Sequence, residues 1–373
     1  MQGSKFIIIG GGILGASTAY HLAKNGEKVL LVDRKDKGQA TDAAAGIICP
    51  WLSQRRNKAW YRLAKGGART YPHLMEELAS DGEIDTGYEQ VGTLSLHTDE
   101  KKLIAMQDRA HKRREDAPEI GDISLLDTRQ TKEMFPLLSD VYGAVHISGG
   151  ARVDGRKLRD SLLRSFEKHG GVLRYGDASL LSSGSQVTGV RVDGEVIEAD
   201  TVIATSGAWM NELLRPLGVA FEVTMQKAQI THLEVPTANT ANWPVVMPPN
   251  NSYLLAFNNQ RIVVGSTHEN HAEFDTRVTA GGVHEILTKA LEVAPSLADS
   301  TVRETRVGFR PFTPGFLPVL GALPGYDGLL LANGLGASGL TMGPYVGTQL
   351  AKLALGEELE IDLADYDVAT AIK

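Results

Sequence analysis

A pattern of glycines between two apolar runs, within the first 33 residues, restricts the fold more than any other feature of the chain. Phe6–Ile9 is an apolar run rich in β-branched residues, and it leads directly into the spacing Gly10-x-Gly12-x-x-Gly15. A helical segment follows, and then a second apolar run that ends at Asp33. This order is typical of a βαβ unit that binds a dinucleotide. Gly10 permits a tight turn, Gly12 lets the backbone approach a pyrophosphate, and Gly15 lets the helix and the strand pack closely.

The N-terminus of the helix in this unit is the predicted binding position for the pyrophosphate. Free backbone N–H groups and the positive end of the helix dipole favour negative charge there, and we place Ile13 and Leu14 at this position. Asp33 is positioned to accept hydrogen bonds from ribose hydroxyls and to repel a 2′-phosphate, and the adjacent Arg34 is included in the predicted site. The pattern suits either NAD or FAD, so the choice between them depends on the rest of the chain.

Composition and charge exclude several classes of protein. The chain has 373 residues, of which 42% are hydrophobic and 22% charged, and its formal net charge of -7 argues against a nucleic-acid partner. The single cysteine, Cys49, excludes an internal disulfide framework and a cysteine-rich metal site. No run approaches the roughly 18 apolar residues of a membrane span, and the run at Phe6–Ile9 is a strand rather than part of a signal peptide. We therefore expect a cytoplasmic enzyme.

Beyond the glycine unit, the chain divides into two kinds of segment. The middle contains short apolar strands separated by turns, at 228–233, 253–257 and 261–265, which is typical of an antiparallel sheet. The C-terminal part returns to glycine-rich strand–turn–helix patterns. The sequence therefore predicts an α/β plus α+β fold, in which a Rossmann-like domain is interleaved with an antiparallel-sheet domain. The predicted boundaries assign 1–85, 141–215 and 310–373 to the dinucleotide-binding domain, and 86–140 and 216–309 to the substrate-binding domain.

Four further motifs stand in order after the glycine unit. They are Thr41–Ile47 (TDAAAGI), Ala204–Trp209 (ATSGAW), Gly308–Pro314 (GFRPFTP) and Gly334–Thr341 (GLGASGLT). In this order and spacing, and over nearly the whole chain, the sequence resembles the FAD-dependent amine oxidoreductases of the D-amino-acid oxidase superfamily. Glycine oxidases and D-amino-acid dehydrogenases are the members that it resembles most. The resemblance implies FAD as the cofactor.

The resemblance also implies which segments contact FAD. The loop Thr41–Ile47 runs past the pyrophosphate and under the flavin, where small residues allow the backbone to lie against a flat ring. The strand end at Ala204–Gly207 passes the adenine. Gly334–Thr341 begins a helix whose N–H groups point at the flavin pyrimidine edge and stabilise the negative charge that grows there on reduction. The residues implied in these contacts are Thr41, Ala44, Ala45, Gly46, Ile47, Ala178, Ala204, Gly207, Gly334, Gly336, Ala337, Ser338, Gly339, Leu340 and Thr341.

Arg310 is the residue that the resemblance implies for substrate binding. In the family, the arginine of this Gly-x-Arg-Pro pattern forms a bidentate pair with the substrate carboxylate, and a tyrosine at the position of Tyr253 caps the same carboxylate. Arg310 is also among the predicted cofactor contacts. From the residues alone, a structural salt bridge for Arg310 and a half-buried strand position for Tyr253 remain open.

The chain departs from the family pattern at a few positions. Ala337 stands where glycine oxidases carry a second arginine, and Val263 lies near the place of the lysine that activates oxygen in sarcosine oxidases. Cys49 lies far from the C-terminal motif near which sarcosine oxidases attach FAD, so we expect FAD to be noncovalent. His268 and His271 could form an acid–base pair or a metal site, but we expect exposed loop histidines and no bound metal.

The resemblance implies an enzyme that oxidises a small amino acid (glycine, sarcosine or a D-amino acid) to an imine and then an oxo acid. A hydride passes to flavin N5, and the electrons go on to oxygen or another acceptor. One alternative is a 2-hydroxy-acid oxidoreductase on the same fold, which needs a base such as histidine near the flavin. Another is the FAD-carrying subunit of an electron-transfer complex. A role in thiamine synthesis, the exact substrate and a homo-oligomeric state are left open.

Overall fold

The computed structural model describes residues 4–236, 239–270 and 273–373. Its α-helices are α1 (Ile13–Lys24), α2 (Lys58–Ser80), α3 (Glu100–Arg114), α4 (Thr128–Met134), α5 (Gly155–Lys168), α6 (Met210–Leu214), α7 (Ala280–Val293) and α8 (Gly339–Leu355). Its strands are β1 (Ser4–Ile9), β2 (Val29–Asp33), β3 (Ile47–Ile48), β4 (Thr93–His97), β5 (Ile123–Leu126), β6 (Gly143–Ile147), β7 (Ala151–Arg152), β8 (Val172–Tyr175), β9 (Ala178–Ser183), β10 (Gln186–Val192), β11 (Glu195–Ala204), β12 (Thr224–Glu234), β13 (Val245–Met247), β14 (Tyr253–Ala256), β15 (Arg261–Gly265), β16 (Thr301–Phe312), β17 (Val319–Ala322) and β18 (Leu329–Asn333).

The first sheet has the order β17-β18-β11-β1-β2-β8, and β10 and β9 extend it from β11. The strands from β18 to β8 are parallel, whereas β17, β10 and β9 pair antiparallel. The central strand β1 is apolar on both faces: Phe6 and Ile8 belong to one buried cluster, and Ile7 and Ile9 belong to another. Cover on both faces explains why the β1 sequence is a continuous apolar run instead of an alternating one.

Helices α1 and α8 pack against one another on one face of this sheet. Their contact is close because Gly347 faces α1, where a Cβ on it would lie 2.6 Å from Ser17 Cβ. The Ser17 hydroxyl donates a hydrogen bond of 2.8 Å to the carbonyl of Pro344, which joins the two helices. Each helix follows a parallel strand, α1 after β1 and α8 after β18, so both begin at the carboxyl edge of the sheet. In open α/β sheets, ligands bind at this edge.

The second sheet has the order β16-β12-β15-β14-β13-β4-β6-β5. Its side chains alternate between two buried clusters, as in β14, where Leu254 belongs to the cluster that contains α7 and Leu255 belongs to the opposite one. The opposite cluster includes Ala45 and Ile47 from the loop after β2. The second sheet therefore faces the loop that follows the glycine unit, and the two sheets meet there.

The predicted fold class is confirmed, with one departure in strand direction. The second sheet is antiparallel except for the pair of β13 with β4, which is parallel. The strand β11 belongs to two ladders, since its first half pairs with β10 and its second half pairs with β1. β6 belongs to the second sheet, although the predicted boundaries place 141–215 with the first, and the division into domains itself stays a prediction.

Within the described ranges, no helix combines the length and apolarity needed to cross a bilayer.

The close contact of α1 with α8 leads to a prediction about stability. We expect Gly347→Ala to lower the free energy of unfolding by about 1–3 kcal/mol, because the added methyl group overpacks against Ser17. Gly281→Ala in α7 is a matched control, since its Cβ would meet nothing within 4 Å in the described part of the chain, and we expect about 0.5–1 kcal/mol of stabilisation. Urea unfolding of both variants measures the difference. Equal effects of the two substitutions would contradict the close contact.

Candidate active site

A cavity of about 1110 Å³ lies between the carboxyl edge of the first sheet and the second sheet. Its wall contains most of the residues predicted from the sequence. They are Gly10, Gly12, Ile13, Leu14, Asp33, Arg34, Thr41, Ala44, Ala45, Gly46, Ile47, Ala178, Gly207, Tyr253, Arg310, Gly334, Gly336, Ala337, Gly339, Leu340 and Thr341. Residues from distant parts of the sequence therefore share one cavity.

Three predicted cofactor contacts lie outside the described cavity wall. Gly15 faces the turn of its own unit, where a Cβ would lie 1.8 Å from the carbonyl oxygen of Gly10, so its glycine serves helix–strand packing. Ala204 is fully buried in the apolar cluster at the end of β11. Ser338 ends the short 3-10 helix Gly336–Ser338, whose neighbours on both sides line the cavity. For Ala204 and Ser338 direct contact with the cofactor stays a prediction, and a chain neighbour of each residue lines the cavity.

The side chain of Asp33 is held in place by hydrogen bonds from the glycine turn and from Gln39. Its carboxylate is largely buried and accepts hydrogen bonds from the backbone N–H of Gly11 and from Gln39 Nε2, the latter at 2.9 Å. Gln39 itself lines the cavity, although no motif in the sequence pointed to it. These bonds fix the orientation of the Asp33 carboxylate at the cavity wall, which is the position that recognition of ribose hydroxyls needs.

Arg34 lines the same end of the cavity, but carboxylates surround it. Its guanidinium forms ion pairs with Asp36 at 2.7 Å, Glu212 at 2.8 Å and Asp177 at 3.2 Å. These ion pairs connect the end of β2 to the start of β9 and to α6 at this end of the cavity. Contact of Arg34 with a cofactor stays a prediction, and its observed bonds connect the segments that enclose this end.

The loop Thr41–Ile47 is fastened to both helix N-termini. Thr41 Oγ1 accepts a hydrogen bond of 3.0 Å from the N–H of Ile13, and the Thr341 hydroxyl donates one of 2.9 Å to the carbonyl of Ile47. Gly46 permits this path, because its φ is +94° and a Cβ would lie 1.8 Å from the carbonyl oxygen of Val153. The loop can therefore run against the cavity with little side-chain bulk.

The N-termini of α1 and α8 both open onto the cavity. In the described structure, neither N-cap residue, Gly12 for α1 or Ser338 for α8, supplies a side-chain hydrogen bond to its helix. A Cβ on Gly12 would meet only Thr41 Oγ1, at 3.5 Å, so the space beyond it is open. Two helix N-termini without a side-chain cap from the N-cap residue, in a cavity of this size, fit a dinucleotide whose pyrophosphate and ring edge carry negative charge.

Arg310 and Tyr253 lie together at the end of the cavity formed by the second sheet. Arg310, on β16, donates hydrogen bonds to Gln226 Oε1 at 2.9 Å and to Ser266 Oγ at 2.8 Å. Among the described residues no carboxylate forms an ion pair with it, so the alternative of a structural salt bridge is not realised there. Burial lowers the pKa of the Arg310 guanidinium and raises the pKa of the Tyr253 phenol, and the attraction between the two groups opposes both shifts.

Several polar residues at this end were not predicted as site residues. Ser266 and His268 follow β15, and Lys289 belongs to α7, and all three line the cavity. His268 is exposed, as predicted, and its side chain lines the cavity. Partial burial in the cavity wall lowers the pKa of its imidazole, and the charges of Arg310 and Lys289 lower it further. His271 lies outside the described residues. No group of His, Cys, Asp or Glu suited to a metal ion occurs among the described residues.

Cys49, the only cysteine of the sequence, is buried away from the described cavity wall. Burial raises the pKa of its thiol to about 11, so the thiol is protonated at neutral pH. A protonated thiol is a poor nucleophile. These observations support noncovalent binding of the cofactor, which stays a prediction.

Comparison with known proteins places the chain among flavin enzymes. A family model described as "FAD dependent oxidoreductase" (DAO) matches residues 5–353. An uncharacterised oxidoreductase of Bacillus subtilis, YurR, is 62% identical over 368 residues, which are 98% of this chain and 99% of the relative. Glycine oxidase from Pseudomonas aeruginosa is 30% identical over 97% of this chain and 98% of its own length. The solved structure of iminodiacetate oxidase from Chelativorans sp. BNC1 is 46% identical, with a TM-score of 0.94 over 97% of this chain and 98% of that chain.

The open space beside Gly12 separates cofactor binding from folding. We expect Gly12→Val to fold normally, because the protein accommodates a Cβ there, but to lose at least nine-tenths of its bound FAD, because the side chain fills the path of the pyrophosphate. Circular dichroism reports the fold, and absorbance of the released flavin reports the cofactor. Full flavin content in a folded Gly12→Val variant would show that the cofactor does not pass this turn.

Proposed function

The chain belongs to the DAO family of FAD-dependent oxidoreductases, and on that basis we propose that it oxidises a small amino acid to the corresponding imine. Glycine, sarcosine and D-amino acids are the candidate substrates. One observation carries the proposal: Arg310, whose bonding partners in the described structure are the uncharged Gln226 and Ser266, faces the cavity beside Tyr253. A cation in such a position is suited to the carboxylate of an amino acid.

Arg310 is prepared to bind this carboxylate. A guanidinium has five N–H donors, and the hydrogen bonds to Gln226 and Ser266 account for two of them. Those two bonds fix the plane of the group, so the remaining donors have a defined direction. A planar donor pair binds a carboxylate through two parallel hydrogen bonds and thereby orients the substrate as well as holding it.

Tyr253 adds a neutral donor at the same end. Burial raises the pKa of its phenol, so the hydroxyl keeps its proton at neutral pH and can donate a hydrogen bond to the substrate carboxylate. The cavity end therefore offers a charged anchor and a neutral one. Together they would hold the α-carbon at one distance from the opposite wall, where Ala44–Ile47 and the N-terminus of α8 lie.

FAD, when bound, would supply a two-electron acceptor for the hydride that leaves the substrate α-carbon. The chain contributes two helix N-termini, whose positive dipole ends would hold the pyrophosphate near Gly12 and favour negative charge near Gly339–Thr341. Such a field would raise the tendency of the cofactor to accept electrons. The amine must be uncharged for its lone pair to assist departure of the hydride. Water then hydrolyses the imine to the oxo acid and releases ammonia, or an amine when the substrate is a secondary amine.

The relatives support an amine substrate. One is a glycine oxidase and another an iminodiacetate oxidase, so both primary and secondary amines with a carboxylate occur among them. The position of Ala337 at the cavity wall supports a pocket with room for a substituent on the amine or the α-carbon, because a small side chain stands where the glycine oxidase pattern has an arginine.

A 2-hydroxy acid is the second candidate substrate, and His268 is the observation that favours it. Oxidation of a hydroxyl group needs a base, and burial with two nearby cations lowers the pKa of His268, so its imidazole is neutral at neutral pH and can accept a proton. Arg310 would bind the carboxylate of either substrate class.

An anaerobic titration separates these candidates. We expect glycine, sarcosine or a D-amino acid to bleach the flavin absorbance of the purified holoenzyme, whereas lactate leaves it unchanged. Reoxidation in air would identify an oxidase, and absence of reoxidation would identify a dehydrogenase or a subunit that passes electrons to another protein. Bleaching by 2-hydroxy acids alone would refute the amine assignment.

Substitution of Arg310 tests its role as the anchor. We expect Arg310→Ala to raise the KM for the amino acid at least 100-fold, or about 2.7 kcal/mol, because two charged hydrogen bonds are lost. Flavin content should be unchanged. Arg303→Ala is the matched control, because Arg303 lies on the same strand, is 56% exposed and pairs with Glu234 outside the cavity. Steady-state kinetics with flavin absorbance gives both quantities, and an unchanged KM in Arg310→Ala would remove Arg310 from the substrate site.

A further inference from the structure

The substrate end of the cavity has a charged rim that the binding of a single carboxylate does not use. We call this rim the cavity mouth, and it consists of Asn251, Ser252, His268, Glu285 and Lys289. These residues come from three segments: the loop between β13 and β14, the segment after β15, and helix α7. Arg310 lines the same cavity.

The cavity mouth is built on a fixed support. The Asn250 side chain donates a hydrogen bond of 3.2 Å to the carbonyl of Lys289, and its Oδ1 accepts bonds from the N–H and hydroxyl of Ser252, at 3.2 and 2.6 Å. The loop and α7 are therefore joined at the point where both meet the cavity. Helix α7 also packs its buried Ile286 and Ala290 against the second sheet. Lys289 thus projects from a helix that is anchored on two sides.

Lys289 is a cation that can change partners. It forms an i,i+4 ion pair of 2.6 Å with Glu285, and the two side chains are 30% and 45% exposed. Exposed pairs of this kind contribute little to stability, so exchange of Glu285 for another carboxylate costs little. The exchange would bring an anion to Lys289 without leaving a buried charge unpaired.

His268 connects the mouth to Arg310 electrostatically. The charges of Arg310 and Lys289 both lower the pKa of its imidazole, and the charge of Glu285 raises it, so His268 lies within electrostatic range of all three groups. Glu285 neutralises Lys289 while their ion pair holds, so a second carboxylate can bind Lys289 only by taking the place of Glu285. A substrate with two carboxylates would then pair with both Arg310 and Lys289.

We propose that the cavity mouth is a second carboxylate-binding position, with Lys289 as its specificity-determining cation, and that the preferred substrate is an amine with a carboxylate on each arm. This inference rests on the proposed function, because Arg310 and Tyr253 take the first carboxylate. The second carboxylate binds Lys289 in place of Glu285, beside His268. The oxidation step is the one already described for a single carboxylate.

Binding of a compound that cannot be oxidised tests the position directly. Oxydiacetate has two carboxylates around an ether oxygen, and methoxyacetate has one. In the holoenzyme, difference spectra of the flavin give the Kd of each compound, and we expect oxydiacetate to bind at least tenfold more tightly. Lys289→Gln should reduce this preference about tenfold, and Glu285→Gln should increase it because Lys289 loses its competitor.

The matched control is Lys352→Gln. Lys352 is also 30% exposed and pairs with a glutamate, Glu360 at 3.0 Å, but lies outside the described cavity wall. We expect its preference to equal that of the unchanged protein. An equal preference in Lys289→Gln, or an unchanged one in Glu285→Gln, would overturn the second carboxylate position.

Kinetics distinguish this inference from the proposed function. We expect kcat/KM for iminodiacetate relative to sarcosine to fall about tenfold in Lys289→Gln. If oxydiacetate binding depends on Lys289 but no amine bleaches the flavin, the proposed function fails and the binding position stands. If amines are oxidised and the ratio is the same in both proteins, the proposed function stands and the inference fails.

Discussion

The close packing of α1 against α8 is the constraint on which the remainder of the structure depends. Gly347 and Ser17 allow the two helix axes to approach, and the bond from Ser17 to Pro344 joins them. Because each helix starts where a parallel strand ends, this approach directs two positive dipole ends into one cavity. The Thr41–Ile47 loop then crosses both N-termini through Thr41 and Thr341. A cavity of this shape would not survive separation of the helices.

The second sheet supplies the polar end of the cavity through the long ladder of β12 with β16. Gln226 and Arg310 are directly opposite in this ladder and share the cavity face. Their neighbour Lys227 points the other way, is fully buried, and pairs with Asp275 at 3.1 Å. That bond and the ion pair of Lys227 with Glu269 hold the chain after β15 against the face of the sheet opposite the cavity. They thereby fix the position of the preceding residues, Ser266 and His268, which line the cavity.

Much of the fold and of the cofactor end could be predicted from the sequence, because their signals are local. A tight turn needs glycine at defined spacing, so Gly10 and Gly12 were identified from a few residues. The polar residues at the substrate end could not be found in this way. Ser266 meets Arg310 only through the register of three strands, and Lys289 reaches the cavity only because α7 packs on the second sheet. Ala204 and Ser338 lie outside the described cavity wall although a chain neighbour of each lines it, because a motif brings a residue near a cavity without deciding which way its side chain faces.

The two sheets divide the work: the first holds the residues implied for the cofactor, and the second, with α7, holds Arg310, Tyr253 and Lys289. These groups are far apart in sequence and lie on different elements, which meet where Ala45 and Ile47 pack against the second sheet. We expect substitutions away from that contact to affect one end of the cavity more than the other. During divergence of such proteins, the glycine motifs would be inherited unchanged while the substrate end drifts from one metabolite to another. Shared glycines are thus a guide to ancestry and redox chemistry, whereas the identity of the substrate has to be read from side chains on the second sheet and α7.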